Sequence, residues 1–183
     1  MRVAYVDLSQ AESRVVGAIC LRLFGDSTYL DAQESGDPHT LVCSMCWTSL
    51  PWPQDFSLAA LRTSNALSFP PDLVNAAKKV AGQKAYREMS YRDLAKRLSH
   101  GTNYYGQPAT MSRHSHVDQK TIQAFQDAYF ASFPAIRRWH EWVRETIQTR
   151  RELTTMLGRR IFVLKDPTAN STLRELIAFE PQS

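Results

Sequence analysis

With 183 residues, 43% of them hydrophobic and 22% charged, the chain has an ordinary globular composition and enough length to bury one core. No stretch approaches the roughly 20 apolar residues of a membrane span, and no secretory pattern follows Met1, so a cytoplasmic protein without a membrane partner is expected. Three cysteines are too few and too odd a number for a disulfide scaffold, which fits a reducing compartment. The net charge of +4 is unevenly spread: residues 1–77 carry 4 basic and 8 acidic side chains, the remainder 18 and 10. Lys78, Lys79, Lys84, Arg87, Arg92, Lys96 and Arg97 fall within twenty positions. That run suits a polyanion footprint or a solvated helical face, and charge alone does not choose between them.

In chain order, Arg2 to Val6 suits a short buried strand ending at Asp7. The apolar spacing from Ala11 to Phe24 predicts a helix closed by Gly25-Asp26. A second helix is expected from Pro38-His39 through Cys43 to Trp47, before Pro51-Trp52-Pro53 forces an extended loop. Residues 48–71 carry no clear pattern. Ser90 and Asp93 form a capping pair ahead of a helix expected over residues 91–104. Residues 119–130 and 135–149 predict a helical hairpin, with Pro134 suited to a first helical position. Residues 154–164 suit a short β-hairpin around Leu157-Gly158-Arg159-Arg160, and Asp166-Pro167 suits the cap of a last helix reaching Ala178.

Two constellations carry chemistry. Asp7-Leu8-Ser9-Gln10-Ala11-Glu12-Ser13-Arg14 puts one carboxylate at a strand end and a second at the start of the next helix. Mg²⁺ takes hard oxygen ligands, so the Asp7 carboxylate and the Leu8 carbonyl could supply half of a two-metal site. Ser9 and Glu12 also fit a plain capping box, with Asp7 a turn residue. The second constellation is Arg92, Lys96, His100 and Tyr104, spaced by four. On a helix they form one slowly winding stripe about 18 Å long. Two cations precede two rings, the order in which a nucleoside triphosphate presents phosphate and then base.

Together these segments resemble the family A (DNA polymerase I-like) DNA polymerases, and within them the phage-encoded branch. Asp7 through Arg14 resembles motif A, and Arg92 through Tyr104 resembles motif B. Asp37-Pro38-His39 resembles the stretch whose histidine meets the incoming triphosphate, and Leu157-Gly158-Arg159-Arg160 resembles a hairpin of the family. Arg174 and Gln182, eight apart, match an arginine and a glutamine near the primer–template minor groove.

The resemblance implies an α+β, predominantly helical fold, the fingers plus partial palm of a right-hand polymerase. Residues 1–20 would be a palm segment with motif A, 21–152 the helical fingers, and 153–183 a hairpin and return to the palm, stopping before motif C. It implies Asp7 and Lys96 as catalytic residues, and Asp7 and Leu8 as Mg²⁺ ligands. Gln10, Glu12, His39, Arg92, Lys96, His100 and Tyr104 would bind the dNTP, Glu12 as the steric gate against a ribose 2′-hydroxyl. Arg159, Arg174 and Gln182 would contact DNA. Primer–template DNA, dNTPs, a second polypeptide with the motif C carboxylates and one with the thumb are the implied partners, in a bacterial host cell if the chain is phage-encoded. His100 departs from the family's Phe or Tyr at that place in the stripe. A non-catalytic basic helical module that binds nucleic acid is the alternative from another class, and a single-subunit RNA polymerase a weaker rival that Glu12 opposes. His39, Cys43 and Cys46 have spacings compatible with zinc but no second ligand pair, so no zinc is expected. His114-Ser115-His116 is expected in an exposed loop, and Trp139, Trp142 and Val143 as helix-packing residues.

Overall fold

The computed structural model describes residues 11–182, so the strand expected over residues 2–6 lies outside them. Among the described residues the chain is predominantly helical, with ten helices and two short β-hairpins. Helix α1 (Ala11–Phe24) follows the expected span, and Gly25 closes it at φ +67°, a conformation that favours glycine. Helix α2 (Thr28–Glu34) was not expected; the Asp26 carboxylate starts it by accepting from the Thr28 N–H at 2.9 Å. Helix α3 (Pro38–Cys46) begins where Asp37 caps the Thr40 N–H, and it ends one residue short of Trp47.

The unpatterned stretch holds one helix and the first residue of another. Ser57 accepts from the Ala60 N–H and opens α4 (Leu58–Thr63). Pro71 is the first residue of α5 (Pro71–Ala81). There its missing N–H costs no helical bond. Strands β1 (Lys84–Tyr86) and β2 (Met89–Ser90) pair antiparallel around Arg87, at φ +50°.

Helix α6 (Tyr91–Asn103) has the expected cap: the Ser90 hydroxyl accepts from the Asp93 N–H at 3.1 Å and donates to its carboxylate at 2.7 Å. Helix α7 (Pro108–Ser115) corrects the expectation of a loop at His114-Ser115-His116, since the first two are helical and His116 is the left-handed C-cap. Helices α8 (Gln119–Ser132) and α9 (Pro134–Arg150) form the expected hairpin, with Pro134 as first residue of α9. Strands β3 (Glu152–Thr154) and β4 (Arg160–Phe162) pair antiparallel with Leu153 opposite Ile161. Helix α10 (Asn170–Phe179) starts later than expected, because Asp166 turns back on the Thr168 N–H and hydroxyl instead of capping the helix.

One face of each long helix builds the core, including Ile19, Leu41, Leu94, Leu98, Ile122, Tyr129, Ile136, Trp139, Val143, Ile147 and Ile177. Each such apolar side chain contributes about 1.5–3 kcal/mol on burial. Trp139 and Val143 are fully buried and Trp142 is partly buried against the same core, as packing residues should be. Helix α6 rests on α3 and α8, while α1 rests on α2 and α9. No helix among the described residues is long and apolar enough to cross a membrane.

Candidate functional site

Helix α6 divides its residues by periodicity. Leu94, Ala95, Leu98, Thr102 and Asn103 are buried, while Lys96 and His100 on the opposite face are exposed. That outer face forms one wall of a cleft of about 1410 Å³. Glu12 of α1, His39 of α3, Arg174 of α10 and the stripe residues Lys96, His100 and Tyr104 all line it.

Tyr104, the C-cap of α6, donates its hydroxyl to Glu12 Oε2 at 2.5 Å. The contact joins residues 92 positions apart at the cleft wall. Burial and then the Glu12 carboxylate push the Tyr104 pKa well up, so it stays a donor, while the nearby Gln182 side chain works the other way. His100 meets the Tyr104 ring edge-on at 4.8 Å between centroids.

Arg92 does not line the cleft. Its Nη2 donates to Asp37 Oδ1 at 3.1 Å and its Nε to Oδ2 at 3.3 Å, a two-pronged pair with a carboxylate only 3% exposed. Lys78 lies 3.4 Å from the same group, and Thr40 gives it an N–H and a hydroxyl. Burial alone would raise the Asp37 pKa; Arg92 and Thr40 outweigh it and hold it below 3.8. His39, two residues on, has its pKa lowered by burial and then by the charges of Arg92 and Lys96, against the pull of Asp37. At neutral pH its ring is uncharged.

Arg174 projects from α10, and its Nε is buried without a hydrogen-bond partner among the described residues. Gln182 is exposed beside Tyr104. Arg159 stands apart, at the tip of the β3–β4 hairpin, with its guanidinium 5.1 Å from the Phe179 ring centroid. Asp7, Leu8 and Gln10 lie outside the described residues. Among the described residues no group of three His, Cys, Asp or Glu is arranged to hold a metal ion. The three thiols are free: Cys20 and Cys43 are buried, and Cys46 is partly so. Burial pushes the pKa of Cys20 and Cys46 up to about 12, and raises that of Cys43 as well.

Several contributors had no signal in the spacing pattern. Asp37 caps α3, and its bond to Arg92 spans 55 positions. Glu88, Arg97 of the basic run and His114 of α7 also line the cleft. Behind it, Gln126 of α8 donates to the Gly106 carbonyl at 2.8 Å and fixes the turn after α6. Gly106 is required there, since a Cβ would lie 2.6 Å from the Gly101 carbonyl oxygen and 2.7 Å from Met111 Sδ.

The chain is similar to known proteins over α5 to α10, which include the stripe helix. The sequence model of DNA polymerase family A matches residues 71–178. A curated relative, "DNA polymerase I, thermostable" of Thermus filiformis, is 36% identical over 72 residues, which are 39% of this chain and 9% of that protein. The chain thus covers far less than two thirds of the relative's length. The family match covers more than half of the residues and takes in the wall of the cleft, and on that ground the chain belongs to DNA polymerase family A.

Proposed function

We propose that the chain works in template-directed DNA synthesis, as the fingers and part of the palm of a phage-type family A polymerase. The observation that carries this is the cleft itself, where Lys96, His100 and Tyr104 of one helix face Glu12 and His39 from elsewhere in the sequence. A deoxynucleoside triphosphate would lie along α6 with its phosphates toward Lys96 and its base toward Tyr104. Lys96 neutralises the phosphates and protonates the departing pyrophosphate. Arg92 joins it by leaving Asp37 for the γ-phosphate, a better acceptor because it carries more charge. His39 donates a hydrogen bond to the triphosphate. Glu12, held by Tyr104, fills the space a ribose 2′-hydroxyl would need. Arg174 and Gln182 contact the primer–template duplex, and Arg159 its backbone.

The bond made joins the primer 3′-oxygen to the α-phosphorus, and the bond broken releases pyrophosphate. Positioning and charge neutralisation are what such a transfer asks of a protein. The donor set of Asp7 carboxylate and Leu8 carbonyl is hard oxygen and fits Mg²⁺, which when bound would lower the charge barrier at the phosphates. The remaining metal-binding carboxylates would come from a separate palm segment with a His-Asp-Glu sequence, which the 183 residues do not contain.

Primer extension tests the proposal. The chain alone should bind primer–template DNA in a salt-dependent way without extending it. Adding a polypeptide with the His-Asp-Glu segment and thumb should restore extension, and Asp7→Ala should abolish it. In the restored enzyme Glu12→Ala should raise ribonucleotide incorporation. DNA binding that no such segment converts to synthesis would favour a non-catalytic nucleic-acid-binding module.

A further inference from the structure

We infer that Asn103 and Tyr29 are positioning residues that fix the separation of Tyr104 from Glu12 and thereby set how sharply the cleft separates deoxyribose from ribose. The inference rests on the assignment of Glu12 as the sugar gate. Asn103 is the last residue of α6 and is buried. Its side-chain N–H donates to the Tyr29 hydroxyl at 2.7 Å, and its side-chain oxygen accepts from the Tyr129 hydroxyl at 2.8 Å. Its backbone carbonyl, one of those a helix end leaves open, accepts from His140 Nε2 at 2.9 Å. One asparagine therefore ties the end of α6 to α2, α8 and α9.

The Ser13 side chain of α1 lies beside the Tyr29 hydroxyl and helps lower its pKa against the larger effect of burial. A path from Ser13 through Tyr29 to Asn103 thus runs beside the direct bond from Glu12 to Tyr104. Ser13 follows Glu12 and Asn103 precedes Tyr104, so each end of the inner link is one residue from an end of the outer link. Neighbouring helical residues point about 100° apart, so Asn103 turns into the core while Tyr104 faces the cleft, whose lining Ser13 and the edge of Tyr29 also reach. The outer bond meets water and would meet the substrate. At the inner link Asn103 and Tyr29 are nearly inaccessible to water, and a hydrogen bond without water competing for it holds its length better. The spacing of the gate is accordingly set from within. Gln126, by fastening the Gly106 carbonyl, keeps the next turn from absorbing a shift.

The test uses the full chain and equilibrium binding of two probes, dATP and ATP, read as the ratio of their affinities. A uniform loss of folded protein does not move that ratio. Tyr29→Phe removes one hydroxyl. The triple variant Asn103→Leu, Tyr29→Phe, Tyr129→Phe removes all three polar partners together, leaving none of their side chains buried and unpaired, and thermal unfolding confirms that it folds. The wild type should prefer dATP, Glu12→Ala should cancel the preference, and both inner-link variants should weaken it by about threefold or more. Should the triple variant not fold, Tyr29→Phe decides alone. A preference unchanged in the folded inner-link variants, with Glu12→Ala cancelling it, would overturn the inference and leave the gate standing. A preference that Glu12→Ala does not alter would bring down the gate assignment and the inference with it.

Discussion

Acid should destabilise the chain through His140 before it protonates the carboxylates. The ring is 3% exposed, and burial, followed by the charges of Arg144 and Arg137, lowers its pKa from 6.5 to about 4, against the help of its bond to the Asn103 carbonyl. The unfolded chain takes up a proton near pH 6.5 while the folded chain refuses it until about pH 4. Stability is therefore complete above 6.5, falls as pH drops through this window, and levels off below 4. At about 1.4 kcal/mol per pKa unit, the loss between pH 7.5 and pH 4 is about 3 kcal/mol, a large share of the 5–15 kcal/mol typical of a domain. His39 adds to the slope, since its pKa is lowered too, and Glu180 opposes it, because burial raises its pKa above 4.5. Urea unfolding of wild type and His140→Gln across this range cancels both, and the glutamine amide can still donate to the Asn103 carbonyl without titrating. The wild-type minus variant difference should shrink by about 3 kcal/mol on acidification. Parallel curves would show that His140 keeps an ordinary pKa and that its burial does not control the acid response.

Asp37→Asn keeps an acceptor for the Thr40 N–H but loses the charge facing Arg92, and because Arg92 is partly solvated the loss should be about 1–2 kcal/mol by urea unfolding. The wild-type minus variant difference should disappear as pH falls below 3.8, where Asp37 takes its proton, while the other lowered carboxylates, Asp93, Asp118 and Asp166, cancel. His100→Tyr should change the relative use of dideoxynucleotides in primer extension by the restored enzyme without lowering the melting temperature. Gly106→Ala must push a Cβ against the Gly101 carbonyl oxygen, so it should cost about 1–3 kcal/mol, read as a lower urea midpoint.

What could be read from the sequence was what local physics decides. Helices α1, α6, α8 and α9 announce themselves by apolar period and by caps such as Ser90, and the stripe on α6 follows from spacing alone. Helices α2, α4 and α7 are six to eight residues long, too short for a period to emerge, and need the tertiary packing that stabilises them. Pro71 and Pro108 at helix starts, and Ser57 as a cap, were the signals available for α5, α7 and α4. In the cleft, Tyr104 meets Glu12 across 92 positions, a contact that helix spacing does not reveal. The pairing of Arg92 with Asp37 was illegible because it depends on how α3 meets α6, and an isolated Asn103 gives no hint that three other helices converge on it.

The buried thiols make the molecule its own clock for transient opening. Only a thiolate attacks a disulfide reagent, and at a pKa of about 12 roughly one molecule in ten thousand carries it at pH 8. Reagent consumption by Cys20 then waits on excursions that expose α1, and consumption by Cys43 on those that expose α3. These two helices carry Glu12 and His39, so the two labelling rates, followed peptide by peptide, time the breathing of two separate parts of the cleft lining. A nucleotide that bridges the two parts should slow both clocks together, in proportion to its occupancy.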